Sequence, residues 1–136
     1  MKTTSVEWQG DMLFKGIGDS KHELMMDAAE ANGGKDSGLR PKELLLLGLG
    51  GCSGMDVISI LKKMRIVPDS FSVKITADVT EEHPIIYKDI HLQYIFTGDV
   101  LQERVERAVE LSQTKYCGVN AMLNTAAKIS YEVIIN

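Results

Sequence analysis

Two cysteines, Cys52 and Cys117, are the residues of this sequence best suited to do chemistry. Cys52 lies in the run Leu-Gly-Gly-Cys-Ser-Gly at residues 49–54. A cysteine among apolar residues is usually a small hydrophobe whose reactivity is suppressed by burial. The glycines around Cys52 favour the alternative, because small residues open backbone-lined space through which a substrate can reach the sulfur.

Cys117 stands at the junction of two predicted helices, in the run Lys-Tyr-Cys-Gly-Val at residues 115–119. The N-terminus of a helix carries partial positive charge and unpaired N–H groups, which favour a thiolate, and Lys115 would act in the same direction. The local sequence therefore predicts that Cys117 is the more acidic thiol. The alternative, a residue tolerated at a helix start for its size, is equally open.

The distance along the chain does not show whether the two sulfurs meet, since a disulfide requires Cα atoms within about 7 Å. Asp56 follows Cys52 by one helical turn and is a candidate to hydrogen-bond into the same site, because an acid in an apolar helix needs a partner. With three histidines and no closely spaced cysteine pair, we expect no structural zinc site, and no other metal or cofactor.

The composition describes a globular chain of 136 residues, 44% hydrophobic and 25% charged, enough to bury a core. A net charge of −4 argues against a binder of duplex nucleic acid and against a polybasic membrane anchor. Residues 1–7 lack the apolar run of a secretory signal, and the uninterrupted apolar stretch that begins at Leu44 is too short to span a bilayer. We therefore expect a cytoplasmic protein with reduced cysteines.

Hydrophobic periodicity predicts one α+β domain over residues 1–136, in the order β-β-β-α-β-β-α-α-β. A Gly-Asp pair at 10–11 marks a hairpin turn, and residues 28–39 have the composition of a mobile loop. The predicted strands are 2–8, 11–17, 21–27, 70–80, 85–97 and 130–135, and the predicted helices are 41–64, 101–115 and 118–127.

The first predicted helix is apolar on almost every face, so it must be enclosed by the fold or by a partner. One subunit of this size would have difficulty surrounding it, which points to an intertwined homodimer with a long buried central helix. Gly48, Gly50 and Gly51 each cost about 1 kcal/mol in a helix relative to alanine. Close approach of another helix or chain explains such a cluster, and a break between two shorter helices is the alternative.

The segment PKELLLLGLGGCSGMDV at residues 41–57 resembles the central-helix motif of the OsmC/Ohr family, closest to its OsmC-like branch. Tyr-Cys-Gly-Val at 116–119, followed by Met-Leu at 122–123, resembles the second cysteine motif of that family. The resemblance implies a homodimer with active sites at its interface, in which Cys52 attacks an organic hydroperoxide and Cys117 resolves the sulfenic acid to a disulfide. It also implies a dithiol reductant that restores the two thiols.

In the family, an arginine held by a glutamate activates the attacking cysteine. Arg40 and Glu43 are the nearest candidates for these roles, although the position of the family's glutamate is taken by Lys42. A solvated helix start is the alternative explanation for both residues. The alternative function is a non-catalytic dimer that binds a hydrophobic small molecule or senses the redox state.

Overall fold

The computed structural model describes all 136 residues, which divide into two compact units, Met1–Leu46 and Leu47–Asn136. The predicted α+β class and the predicted order of elements are confirmed. A single domain over 1–136 stays a prediction. The strands are β1 Ser5–Trp8, β2 Phe14–Ile17, β3 Glu23–Met26, β4 Ser70–Val79, β5 Tyr87–Thr97 and β6 Lys128–Ile135, and the helices are α1 Glu43–Lys63, α2 Gln102–Leu111 and α3 Gly118–Leu123.

The first unit contains an antiparallel meander in the order β1-β2-β3. The predicted turn is present between β1 and β2, where Gly10 and Asp11 both adopt positive φ angles, 98° and 48°. Glycine accepts such angles readily and aspartate tolerates them, so this pair reverses the chain at little cost. The observed strands are shorter than the predicted ones.

The segment after β3, predicted as a mobile loop, is organised around a buried carboxylate. Asp27 accepts hydrogen bonds from the backbone N–H groups of Ala28, Lys35 and Ser37 and from the Ser37 hydroxyl, at 2.7 to 3.1 Å. The bonds from Ser37, with those from the other two N–H groups, lower the pKa of Asp27 to about 2. Composition alone does not reveal this arrangement, because the carboxylate of one aspartate accepts hydrogen bonds from backbone groups up to ten positions away.

This carboxylate predicts a pH-dependent contribution to stability. The pKa of Asp27 in the folded chain lies below its ordinary value of 3.8, so its stabilising effect is present above that value and is lost as pH falls towards 2. We expect Asp27→Asn to have a lower urea midpoint than wild type at neutral pH, and the gap to narrow as pH falls from about 5 towards 2. The exposed Asp78→Asn is the control, and a gap independent of pH would contradict the prediction.

The second unit is a three-stranded sheet in the order β4-β5-β6, with β4 and β5 antiparallel and β5 and β6 parallel. Alternate residues of β5 point into the core and are 0 to 1% exposed, namely Ile90, Leu92, Tyr94 and Phe96. One face of α2 supplies three further buried residues, Val105, Ala108 and Val109. This period-two strand beside an amphipathic helix is what the sequence pattern predicts.

The central helix α1 is continuous, so the alternative of two shorter helices is wrong. Only one face of α1 is buried within the chain. The buried residues of that face are Leu49, Gly50, Ser53, Val57 and Leu61. Other apolar side chains remain exposed, including Leu47 at 53%, Met55 at 76% and Ile58 at 42%. The prediction of a helix buried all round is therefore not met by a single chain.

By length and composition alone, α1 is also apolar enough to cross a membrane, with a mean hydropathy of 1.9. This differs from the expectation that its apolar run is too short. The core helix of a globular domain passes the same test.

The helix glycines differ in their surroundings. A Cβ on Gly50 would lie 2.5 Å from Ile75 Cδ1, so at this position α1 approaches β4 of the same chain closely. A Cβ on Gly48 or Gly51 would meet nothing within 4 Å. A close approach is therefore present at Gly50, but to a strand of the same chain and not to another helix or chain as predicted.

Gly50 and Gly54, one turn apart and both facing β4, make a matched pair of substitution sites. A Cβ on Gly54 would rest at 3.7 Å from Phe71 and 3.8 Å from Val73, which is ordinary contact. We expect Gly54→Ala to raise the free energy of unfolding by up to about 1 kcal/mol through helix propensity. For Gly50→Ala, the terminal methyl group of Ile75 has to move aside, so we expect a smaller gain than for Gly54→Ala. Chemical denaturation measures both, and an equal gain in the two variants would contradict the packing argument.

Candidate active site

The fold brings the two cysteines together. The sulfurs of Cys52 and Cys117 and a carboxylate oxygen of Asp56 all lie within 4.8 Å of one another. Both cysteines are free thiols. Their proximity, which the sequence left open, is therefore a feature of the second unit, whereas their catalytic roles stay predictions.

Cys52 is presented by the middle of α1 and is partly exposed. Asp56 is four residues further on, and residues at this spacing lie on the same face of a helix. On the N-terminal side, a Cβ placed on Gly51 would meet no atom within 4 Å, its chain neighbours aside. The predicted role of the glycines in opening a path to the Cys52 sulfur stays a prediction.

Cys117 lies where a π-helical turn, Ser112–Tyr116, meets α3. Its extended backbone, with φ −74° and ψ 103°, makes it the N-cap of α3. The backbone N–H of Asn120 donates to its sulfur at 3.3 Å, and the N–H of Cys117 donates to the Ser112 carbonyl at 2.9 Å. Single π-helical turns are frequent at functional sites, and this one ends the preceding helix at the thiol.

The prediction that Cys117 is the more acidic thiol is not supported, because its pKa is shifted upward. Its side chain is only 4% exposed, and burial, assisted by the neighbouring Cys52 and Asp56, raises the pKa of Cys117 from 9.0 to about 11. The N–H of Asn120 acts in the opposite direction but does not compensate. The predicted stabilisation of a thiolate by the helix N-terminus is present only as this one hydrogen bond from the Asn120 N–H to the sulfur. The ammonium of Lys115 lies over the Tyr116 ring instead, 5.2 Å from its centre.

A buried chain of polar side chains leads away from Asp56. Ser112 Oγ donates to Asp56 Oδ2 at 3.1 Å and lies 2.7 Å from Ser53 Oγ, which is 2.6 Å from Tyr94 Oη. Gln113 Nε2 donates to Tyr94 Oη at 2.7 Å. A hydroxyl has one proton to donate, so the bond that Ser112 donates to Asp56 requires Ser53 to donate to Ser112 and Tyr94 to donate to Ser53. Every dipole in the chain therefore points towards Asp56.

The far end of this chain returns to the second cysteine. Asn120 Nδ2 donates to Gln113 Oε1 at 2.6 Å, while the Asn120 backbone binds the Cys117 sulfur as described above. Tyr94 is fully buried, and burial raises its pKa, so it remains a neutral donor. No buried side-chain nitrogen or oxygen lacks a partner. One network thus supports both Asp56 and Cys117.

Sequence reasoning missed most of this network, although one signal was available. Ser112 continues the apolar face of α2, and Ser53 lies among the apolar residues of α1. A polar residue on a buried face needs a hydrogen-bond partner, and two such residues on separate helices indicate that they meet. The same argument led to the expectation of a partner for Asp56, which the structure shows to be Ser112.

Arg40 and Glu43 lie in the first unit, where they interact with each other and with the preceding turn. The Arg40 guanidinium binds Asp36 Oδ1 at 2.6 Å and donates to the Gly38 carbonyl at 3.0 Å, and pairing with Asp36 raises its pKa. Glu43 Oε1 accepts the backbone N–H of Arg40 at 2.8 Å, as in one arm of a capping box. These contacts give both residues a structural role at the start of α1, and their activation of Cys52 stays a prediction.

A groove of about 290 Å³ reaches Asp56 from the surface. Its other lining residues include the apolar side chains of Ile60, Leu111 and Tyr116 and the cationic Lys63. The groove gives access to Asp56, and neither cysteine is among its lining residues.

The fold and this site define a class of protein, an α+β protein with two free thiols side by side on separate helices. The chain belongs to the OsmC-like family, whose model matches residues 34–132. It is 42% identical over 132 residues to Protein YhfA of Escherichia coli strain K12, an alignment that covers 95% of this chain and 96% of that protein.

Solved structures agree with this assignment. A hypothetical protein from Aquifex aeolicus VF5 is 35% identical with a TM-score of 0.83, over 100% of this chain and 98% of its own. The organic hydroperoxide resistance protein OhrB of Bacillus subtilis shares the fold with a TM-score of 0.69 at 14% identity, over 98% of this chain and 97% of its own. The resemblance to the OsmC/Ohr family is therefore confirmed.

Proposed function

We propose that this chain is a thiol-dependent peroxidase that reduces organic hydroperoxides through Cys52 and Cys117. The observation that carries the proposal is the pair of free sulfurs within 4.8 Å of each other. Family membership adds to it, since the fold is shared with proteins named as organic hydroperoxide resistance proteins. The role would place the chain in the defence against oxidative stress.

The difference in exposure between the two cysteines supports the order of the two steps that we propose. Cys52 is partly exposed and Cys117 is buried, so a peroxide meets Cys52 first. The Cys52 thiolate attacks the distal peroxide oxygen, the O–O bond breaks, an alcohol leaves after protonation, and Cys52 becomes a sulfenic acid. The Asp56 carboxylate, within 4.8 Å of the sulfur, is at hand to accept the proton that Cys52 releases.

Resolution follows on the second thiol. Cys117 attacks the sulfenic sulfur, water leaves, and a disulfide forms, for which the sulfurs must approach to about 2.05 Å. A dithiol reductant then returns both cysteines to thiols and is itself oxidised to a disulfide. The high pKa of Cys117 suits this order, because a protonated resolving thiol does not compete for peroxide. A reducing compartment such as the cytoplasm would supply the dithiol.

The exposed face of α1 supports the homodimer that we propose as the functional form. Leu47, Met55 and Ile58 leave a contiguous apolar surface of the kind that a second copy would cover. Sedimentation velocity tests this, and a stable folded monomer as the main species would contradict it. Met55→Glu should favour the monomer, whereas Val67→Glu, at a residue 83% exposed outside the helix, should not.

One observation favours a second candidate function, binding of a hydrophobic small molecule without catalysis. The first unit holds a cavity of about 570 Å³ with apolar walls, among them Val6, Met12, Phe14 and Met26. Its size and lining suit a small apolar ligand. One measurement distinguishes the two functions, namely the rate at which the reduced protein consumes cumene hydroperoxide compared with free cysteine.

A further inference from the structure

We propose that Cys52, Asp56 and Cys117 form a binding site for a thiophilic divalent cation such as Zn²⁺. Their ligand atoms lie within 4.8 Å of one another. A tetrahedral zinc ion with Zn–S bonds of about 2.3 Å needs sulfurs about 3.8 Å apart, so the two sulfurs have to approach by about 1 Å at most, and the carboxylate oxygen by slightly more. Changes of this size are within the reach of side-chain rotation.

The ligands come from rigid elements. Cys52 and Asp56 are one helical turn apart in α1, the spacing at which two side chains of one helix commonly hold a single metal ion. Cys117 completes the set from the start of α3, where a backbone hydrogen bond already orients its sulfur. Two thiolates and one carboxylate would leave the fourth position of a tetrahedral ion to water or another small ligand.

The surroundings contain the supporting contacts that metal ligands need. Ser112 donates to the Asp56 carboxylate at 3.1 Å, at the end of the chain of dipoles directed at that group. Asn120 donates its N–H to the Cys117 sulfur at 3.3 Å. Such contacts orient the ligands and tune the metal, and their loss typically lowers affinity by about 10- to 100-fold.

A bound cation would engage both sulfurs. Because metal ligands must be deprotonated, binding would release the thiol protons to solvent and both sulfurs would hold the ion as thiolates. Bound in this way, neither thiolate would be free to attack a peroxide, so the metal would hold the site inactive.

The test is a titration of the fully reduced protein with Co²⁺, followed by displacement with Zn²⁺, in the absence of oxygen and peroxide. We expect one ion per chain and the charge-transfer absorption of cobalt bound to thiolate. Cys52→Ser and Cys117→Ser should each lose this absorption, and Asp56→Asn should weaken binding by at least about tenfold. Asp78→Asn, an exposed carboxylate on β4, should bind as wild type does.

Two outcomes would overturn the proposal: no thiolate absorption in the wild type, or equal affinity in wild type and Asp56→Asn. Protection of the wild-type cysteines by Zn²⁺ against alkylation provides a measurement without any variant, and unprotected thiols would also count against the site. The result is independent of the proposed function, because metal binding is read without peroxide and peroxide consumption is read in the presence of a chelator.

Discussion

Replacing Cys52 by serine should abolish the rapid reduction of cumene hydroperoxide, whereas replacing Cys117 by serine should leave a single turnover. In the first variant the partly exposed thiol that meets the peroxide is gone, and the remaining one is buried with its pKa raised to about 11. In the second, Cys52 still reacts once, and the sulfenic acid accumulates because the neighbouring sulfur that would condense with it is missing. We expect both variants to lose repeated turnover. Cys117→Ser should still consume the first equivalent of peroxide, whereas Cys52→Ser should not.

Stopped-flow measurement of peroxide consumption, with chemical trapping of sulfenic acid and mass spectrometry, distinguishes these outcomes. The wild type should consume one equivalent and gain an intramolecular disulfide, Cys117→Ser should consume one equivalent and be trapped, and Cys52→Ser should consume none. Serine at 117 retains an acceptor for the Asn120 N–H, which makes it a conservative change. Wild-type consumption no faster than that of free cysteine would remove the catalytic proposal and leave the binding function.

The second large effect is expected at Tyr94, whose hydroxyl lies 2.6 Å from Ser53 Oγ, next to Cys52 in the chain. Its hydroxyl accepts from Gln113 and donates to Ser53 inside the buried network. Tyr94→Phe leaves the buried Ser53 hydroxyl and the half-buried Gln113 amide each short of one partner. An orphaned buried group costs about 1–3 kcal/mol, and the half-buried amide should cost less. The loss should also loosen the Ser112 contact to Asp56, since the dipoles that point to the carboxylate act together.

Tyr131→Phe is the matched control, because its ring lies edge-on against Tyr94 while its side chain is 40% exposed. We expect a change within about 0.5 kcal/mol for this variant, as is usual for surface substitutions. Urea denaturation of the two variants measures the difference. Equal stability of Tyr94→Phe and Tyr131→Phe would show that the network does not support the second unit.

Local pattern determined much of the fold. The alternation of apolar residues along β4 and β5 and the apolar face of α2 predicted these elements to within a few residues at each end, because burial of one face imposes the period directly. Pro41 and Glu43 likewise marked the start of α1. The sequence resemblance, carried by the two cysteine motifs, identified the family that the comparisons confirm.

Local sequence pattern gave wrong expectations where contacts distant in sequence determine the property in question. The acidity expected for Cys117 followed from a helix start, yet a thiol with one N–H partner and 4% exposure is governed by desolvation. The loop expected to be mobile is tied to Asp27 by hydrogen bonds whose partners are spread over ten positions. In both cases the deciding contact comes from surroundings that a local pattern does not describe.

The elements, their order and the family could be predicted from the sequence, since these depend on residues close together along the chain. The convergence of Cys52, Asp56 and Cys117 depends instead on contacts between distant segments, as does the hydrogen-bonded chain of Ser53, Tyr94 and Ser112. The expectation of no metal rested on the spacing of ligands in sequence, whereas coordination depends on distances in space. A helix brings positions 52 and 56 together. Position 117 reaches them because α1 and the segment before α3 both contact Tyr94 of β5, through Ser53 and Gln113.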